Sequence, residues 1–211
     1  MTGEGMAKVD FKKTIDAYRA RKGRFDLVEV PALSYLMVDG HGDPNTSPEF
    51  ATAVEALFPL AYALKFASRN ELDRDYAVMP LEGLWWAEDH SAFTSARDKS
   101  RWHWTLMVMQ PDWIDQRMFA SAVENVTKKH PDRRVGEVRL ETLHEGLCAQ
   151  TLHVGSYDDE APVLAQMHGE FLPAHGMRMT GTHHEIYFSD PRTGDPAKRR
   201  TLLRQPVRPL S

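Results

Sequence analysis

The sequence predicts an α+β fold of two tandem modules, each with the order strand, helix, strand, strand. Apolar and polar residues alternate over several short segments, as they do in half-buried strands. Longer segments between them space their apolar residues as amphipathic helices do. Because this order occurs in both halves of the chain, we expect two similar modules about a pseudo-two-fold axis, with antiparallel sheets backed by helices.

The composition is that of an ordinary globular protein and excludes several functional classes. The 211 residues are enough for a full core, so we treat 1–211 as one domain with modules at about 24–112 and 137–208. A net charge of −4 argues against direct nucleic-acid binding. No run approaches the length of an apolar membrane span, and the N-terminus does not resemble a secretory signal. The single Cys148 fits a reducing compartment, so we expect a cytoplasmic protein.

The first module begins after a short polar helix predicted over 10–23 and ended by Gly23. Two strand segments follow in 25–44, with a bend at Pro31. Ser47 and Pro48 are typical of a helix N-cap and of the first helical position, so a helix is predicted from there. Strands are then expected at 76–87 and 102–110, with a polar loop between them.

The second module repeats this order after a helix predicted over 115–130, which ends before Pro131. Two strands joined by a turn are expected in 137–155. A helix over 158–176 has Gly176 near its end. Two further strands at 182–191 and 200–207 complete the module.

Four of the five Trp residues lie in two short predicted strands, as Trp85, Trp86, Trp102 and Trp104. Neighbours on a strand point to opposite faces, so Trp85 and Trp86 must diverge, although the sequence does not say which of them faces a ligand. These rings could be core residues under the helices. Large aromatic residues on both faces of a sheet instead suggest an open surface for a flat ligand or a partner.

The segment 182–191 carries the sharpest local feature. If Ile186 and Phe188 face the core, Glu185 and Tyr187 share the opposite face. A carboxylate among apolar strand residues is costly to bury unless it meets a cation or hydrogen bonds. Glu185 could therefore pair with a cationic ligand or act as a general base with Tyr187 as a donor beside it; alternatively, this face is simply exposed to solvent.

Other catalytic and metal-binding patterns are absent from the sequence. His183 and His184 are adjacent on a strand and cannot ligate one metal, and neither an HExxH nor a CxxC motif occurs. No GxSxG elbow or phosphate-binding loop is present. Cys148 is predicted to be a small packed residue. We therefore expect no metal and no cofactor.

Four segments are similar to a known family: PLEGLWW (80–86), WTLMVMQPD (104–112), HEIYFSDPR (184–192) and RQPV (204–207). Together with the repeated order of elements, they resemble the GyrI-like small-molecule-binding proteins, and in particular a stand-alone bacterial branch with a double Trp. The resemblance extends from about residue 11 to 207. It implies a cleft at the junction of the modules, lined by aromatic residues and containing a buried Glu that corresponds to Glu185.

The resemblance also implies a function, although it leaves alternatives open. Family members bind planar aromatic compounds and lipophilic cations, and some resemble hydrolases that open the cyclopropane ring of DNA-alkylating antibiotics. Only one short helix precedes the first strand, so no helix-turn-helix head is expected. A third alternative is a module that uses its aromatic surface to bind a protein partner. Under each alternative we expect no direct contact with nucleic acid and none with a membrane.

These arguments predict one aromatic cleft with an acid at its centre. Glu185 would stabilise a bound cation, or act with Tyr187 as the catalytic pair of a hydrolase. The predicted ligand-binding residues are Tyr35, Met37, Glu82, Trp85, Trp86, Trp104, Glu185 and Tyr187. Glu82 belongs to this set because it shares a strand face with Trp86.

Overall fold

The computed structural model describes residues 7–87, 99–189 and 195–210. Within them the strands are β1 (Asp26–Val30), β2 (Leu33–His41), β3 (Glu82–Trp86), β4 (His103–Gln110), β5 (Arg139–Leu143), β6 (Gly146–Val154), β7 (Met177–Met179), β8 (His183–Tyr187) and β9 (Arg200–Pro209). The helices are α1 (Phe11–Thr14), α2 (Pro48–Glu71), α3 (Gln116–Lys129), α4 (Ala161–Gln166) and α5 (Leu172–Ala174), with a π-helical turn, Met167–Phe171, between the last two.

The strands form an antiparallel sheet that closes on itself. Its order is β1-β6-β9-β8-β3-β4-β2-β5, and β7 pairs with β9 at one end. β1 and β2 are two parts of one strand bent at Pro31, as predicted, and they pair with β6 and β5 in one continuous register. β1 and β5 lie at the two ends of this order. β1 continues along the chain into β2, and β5 continues into β6, so the two ends of the sheet are joined.

The predicted repeat is confirmed. β2, α2, β3 and β4 form the first module, while β6, α4 with α5, β8 and β9 form the second. In each module the first and last strands pair, as β2 with β4 and β6 with β9. β3 pairs with β8 across the junction, which places these two strands about a pseudo-two-fold axis.

The register assigns side chains to two faces of the closed sheet. Trp85 pairs with Trp104, and Gly83 pairs with Glu185. These four residues share the outer face of the sheet. On this face Phe50 of α2 packs against both Trp rings. Alternation places the other residues of the same strands on the inner face. The inner-face residues include Tyr35, Met37, Glu82, Met107, His184, Ile186 and Arg204.

Helix α2 is the main outer-face helix of the first module. It begins at Pro48 after Ser47, and Pro59 lies within it. Leu57, Leu60 and Leu64 are fully buried in the main core. By length and composition alone α2, with its 24 residues, could cross a membrane. Here it packs against β2 and β4.

Several predicted elements are shorter than expected, and the difference is largest for the first helix and for the strand that contains Trp85. The helix predicted over 10–23 stops at Thr14, because the chain becomes extended at Ile15 and turns inward to bury Tyr18. The strand predicted over 76–87 begins only at Glu82. Pro80 has no N–H to donate to a sheet, which accounts for the late start. Most of the predicted polar loop after β3 lies outside the described residues.

Candidate functional site

A large cleft lies on the outer face where the two modules meet. Its volume is about 1540 Å³, more than the roughly 300–1,000 Å³ of most ligand pockets. α2 forms one wall, the segment around α4 forms the other, and β3 and β8 form the floor. The cleft is lined by aromatic and apolar side chains with several polar groups between them: Phe50, Val54, Phe58, Trp85, Trp86, Trp102, Tyr157, Leu164, His168, His183, Glu185, Tyr187 and Arg199.

Glu185 and Tyr187 lie together on the cleft floor because they are two residues apart on β8. The Tyr187 hydroxyl donates to Oε2 of Glu185 at 2.7 Å, and Nε1 of Trp85 donates to the Tyr187 oxygen at 3.0 Å. Burial and the charge of Glu185 raise the pKa of Tyr187 well above 10, so it stays a neutral phenol. Because its one proton is directed at Glu185, Tyr187 positions this carboxylate.

Gly83 allows this arrangement. It pairs with Glu185, and a Cβ at this position would lie 2.8 Å from Nε1 of Trp85. The absence of a side chain lets the indole lie across β3 and reach Tyr187. On its other sides the Trp85 ring stacks on Phe50, with centroids 6.2 Å apart, and meets Trp102 edge-on at 5.8 Å.

The carboxylate of Glu185 lies in this aromatic setting with little exposure to water. Its side chain is 15% exposed, and Nε2 of His183 is 3.4 Å from its Oε1. No Lys or Arg in the described parts of the chain forms an ion pair with it. Two cationic side chains that line the cleft lie over aromatic rings: Lys99 is 5.8 Å from the Trp102 centroid and Arg199 is 5.2 Å from that of Tyr157.

Four of the predicted ligand-binding residues do not line the cleft, which corrects the sequence-based expectation. Tyr35, Met37 and Glu82 are buried on the inner face of the sheet. The shared face of Glu82 and Trp86 was predicted correctly, but the cleft floor lies on the opposite face. Trp104 shares the outer face yet is fully buried beneath Phe50, where its ring occupies the space above Gly40.

Trp85 and Trp86 diverge as predicted, and the structure assigns each of them. Trp85 is buried on the cleft floor, whereas Trp86 is 38% exposed at the rim. The Trp86 ring stacks on His103, with centroids 5.9 Å apart. Trp85 therefore shapes the interior of the cleft, and Trp86 can contact a ligand only near the entrance.

Glu82 belongs to a polar network inside the closed sheet. Tyr18 donates to Oε1 of Glu82 at 2.7 Å, and Nε2 of His184 lies 3.0 Å from Oε2. Nδ1 of His184 lies 3.0 Å from Glu145, which accepts from Arg204 at 2.8 Å. Two carboxylates thus face two cationic side chains, and the network is balanced in charge when His184 is protonated.

The network shifts the pKa values of its members. Burial opposes the charging of His184, yet Glu145 and Glu82 together raise its pKa to about 9. Burial also opposes the ionisation of Glu145, but His184 and Arg204 lower its pKa to about 2. Both shifts favour the charged forms of His184 and Glu145, which attract each other. This network therefore holds the strands of the two modules together on the inner face of the sheet.

Several residues of the cleft were not in the predicted set. His183 could have been found, because it shares the strand face of Glu185 and Tyr187 by alternation. Trp102 belongs to the aromatic cluster predicted from the sequence. Phe50, Tyr157 and His168 come from a helix, a 3₁₀ turn and a π-helical turn, and their local sequence gives no signal for a shared site.

Among the residues that the structure describes, we find neither a set of metal ligands nor a reactive thiol. No group of three or more His, Cys, Asp or Glu side chains there could hold a metal ion. Cys148 is fully buried, and burial together with the charge of Glu145 raises the pKa of its thiol to about 12. A thiol in that state is a poor nucleophile.

Comparisons with known proteins extend these observations. The model of a family described as GyrI-like small molecule binding domain matches residues 24–208. An uncharacterized conserved protein from Listeria innocua is 38% identical, with a TM-score of 0.87 over 95% of this chain and 100% of that one. A hydrolase from Listeria innocua is 37% identical, with a TM-score of 0.85 over 96% and 100%.

A more distant structure, the C-terminal domain of EcmrR, shares the fold alone. It is 12% identical, with a TM-score of 0.51 over 88% of this chain and 98% of that one. Among curated proteins, none matches this chain.

Proposed function

This chain belongs to the family of GyrI-like small-molecule-binding domains, and on that premise we propose that its cleft binds planar, lipophilic molecules, cationic ones among them. The observation that carries this proposal is Glu185, a carboxylate held by Tyr187 on the floor of an aromatic cleft. No lysine or arginine in the described residues pairs with it, so a bound cation can take that place.

The aromatic walls supply the rest of the affinity. Trp85, Trp102 and Phe50 offer flat apolar surface, and aromatic rings attract cations through their quadrupole. A planar cation would gain stacking and a charged contact together, whereas a neutral planar molecule would gain only the stacking. The difference in affinity between the cation and the neutral molecule therefore measures the contribution of Glu185 apart from that of the aromatic residues.

Titration with a planar cation of the rhodamine class, followed by Trp fluorescence, tests the proposal. We expect micromolar binding by the wild type and a loss of about 1–3 kcal/mol in Glu185→Gln, the cost of an unmade hydrogen bond to a charged group. Glu141→Gln makes the same substitution on β5 outside the cleft and should bind normally. Absence of binding by the wild type would refute the proposal and favour a module for a protein partner.

Hydrolysis of a strained electrophile is a second candidate function. It is favoured by the 37% identity to the hydrolase from Listeria innocua over nearly the whole chain. In this reaction water attacks a cyclopropane carbon, a C–O bond forms and the strained C–C bond breaks. The released electron pair moves to a conjugated carbonyl oxygen, which takes up a proton, while the water gives a proton to Glu185.

In this chain Tyr187 would orient Glu185 as the base, and the aromatic walls would hold the conjugated ring. The test is incubation with a spirocyclopropyl cyclohexadienone, with mass spectrometry to detect the gain of one water. We expect product from the wild type and from Glu141→Gln, and none above the uncatalysed rate from Glu185→Gln. Binding without product in the wild type would remove this activity for that compound and leave the binding function in place.

A further inference from the structure

Two histidines form a polar patch on the wall and floor of the cleft. His183 lies on β8, on the same strand face as Glu185 and Tyr187. His168 lies in the π-helical turn Met167–Phe171. Both line the same cleft, and His183 is close enough to His168 to contribute to the lowering of its pKa.

The ring nitrogens of these histidines are buried without hydrogen-bond partners. This is the case for Nδ1 and Nε2 of His183 and for Nε2 of His168. At 3.4 Å, Oε1 of Glu185 approaches His183 without completing a hydrogen bond. By contrast, other histidines of the fold hydrogen-bond through their rings: His153 contacts a backbone oxygen at 2.9 Å, and His184 contacts two carboxylates.

Buried polar atoms are usually satisfied, because each one left without a partner costs free energy. Three such atoms on one side of a ligand cleft therefore indicate hydrogen-bonding groups that become paired when the cleft is filled. Burial and the neighbouring His183 lower the pKa of His168 to about 4, which keeps its ring neutral. A neutral imidazole has one donor and one acceptor, so it can pair with either kind of ligand group.

We propose that His183, with His168 beside it, recognises a hydrogen-bonding edge on the planar ligand, such as a lactam, phenol or quinone. This inference rests on the proposed binding function and narrows its ligand class. An aromatic molecule with such an edge would stack on Trp85 and Trp102 while its polar groups met the imidazoles. A purely hydrocarbon molecule of the same shape would leave the nitrogens unpaired.

A matched pair of ligands tests this assignment. Phenanthrene is a flat hydrocarbon, and phenanthridinone has the same three-ring shape with a lactam at one edge. We expect the wild type to bind phenanthridinone about tenfold more tightly, as one or two net hydrogen bonds would give. His183→Phe keeps a flat ring of similar size and should lose this preference while still binding phenanthrene. His175→Phe, outside the cleft, should keep it.

Phenanthrene binding also reports whether the cleft of a variant is intact. If His183→Phe does not fold, His168→Phe makes the same comparison from the helical turn and should reduce the preference. Equal affinity of the wild type for the two compounds, or a preference that survives in His183→Phe, would overturn the inference and leave the proposed binding function standing. If the wild type binds neither compound nor the rhodamine dye, both fall.

Discussion

Replacing His184 with Gln should remove a defined part of the pH dependence of folding. His184 is fully buried between Glu82 and Glu145, which raise its pKa from 6.5 to about 9 despite burial. At roughly 1.4 kcal/mol per pH unit, this rise corresponds to about 3 kcal/mol of stability. Because the folded-state pKa is the higher one, the contribution is complete below pH 6.5 and is lost as the pH rises towards 9.

Urea unfolding at several pH values measures this contribution. The free energy of unfolding of the wild type should fall by about 3 kcal/mol between pH 6.5 and 9. In His184→Gln this decrease should be nearly absent, and the variant should be less stable at pH 6.5 by about 3–5 kcal/mol, because two buried carboxylates lose their shared partner.

The control is a histidine that is exposed to solvent instead of buried. His41 is 70% exposed in its side chain and lies 3.0 Å from Glu49, so His41→Gln should keep the wild-type slope. Proton NMR of the histidine rings gives a direct check, with one ring in the wild type titrating near pH 9. A wild-type stability that is flat from pH 6.5 to 9, or a slope that persists in His184→Gln, would refute the reasoning.

Three further substitutions test other contacts. Gly83→Ala should push the Trp85 indole away from Tyr187 and weaken rhodamine binding several-fold, measured by the same fluorescence titration, because a Cβ there would lie 2.8 Å from Nε1. Gly40→Ala should destabilise the protein by about 1–3 kcal/mol in urea, because its Cβ would fall 2.1 Å from the fully buried Trp104 ring. Tyr187→Phe should lower turnover in the proposed hydrolase reaction more than it lowers dye affinity, since it frees Glu185 from the orienting hydrogen bond; equal losses in both would contradict a positioning role.

The order of elements could be predicted from the sequence because it depends on local patterns. The bend at Pro31, the helix start at Pro48 and the helix end before Pro131 each follow from the backbone chemistry of proline and its neighbours. The face shared by Glu185 and Tyr187 follows in the same way from alternation on a strand. These features need no knowledge of the rest of the chain.

The position of the cleft could not be predicted in this way, because it depends on which face of the sheet the helices cover. Alternation correctly grouped Glu82 with Trp86, but it cannot say that this group faces inward. That assignment depends on the closure of the sheet through the joined pairs β1–β2 and β5–β6, which brings Glu145 across to His184. The carboxylate of Glu82 is therefore part of the inner network, although its strand pattern resembles that of a cleft residue.

The inner face of β3 and β8 carries the polar network that joins the modules, and the outer face forms the floor of the cleft. This division explains how the cleft can stay open to solvent while its floor is held in place. Glu82 and His184 bind each other on the inner face, while their chain neighbours Gly83 and Glu185 form the floor of the cleft. The inner network ties the two modules together, so the junction does not depend on apolar packing in the cleft itself. Aromatic rings and unpaired imidazoles can consequently remain available on the outer face, and a ligand that fills the cleft need not rearrange the strands that carry Glu185.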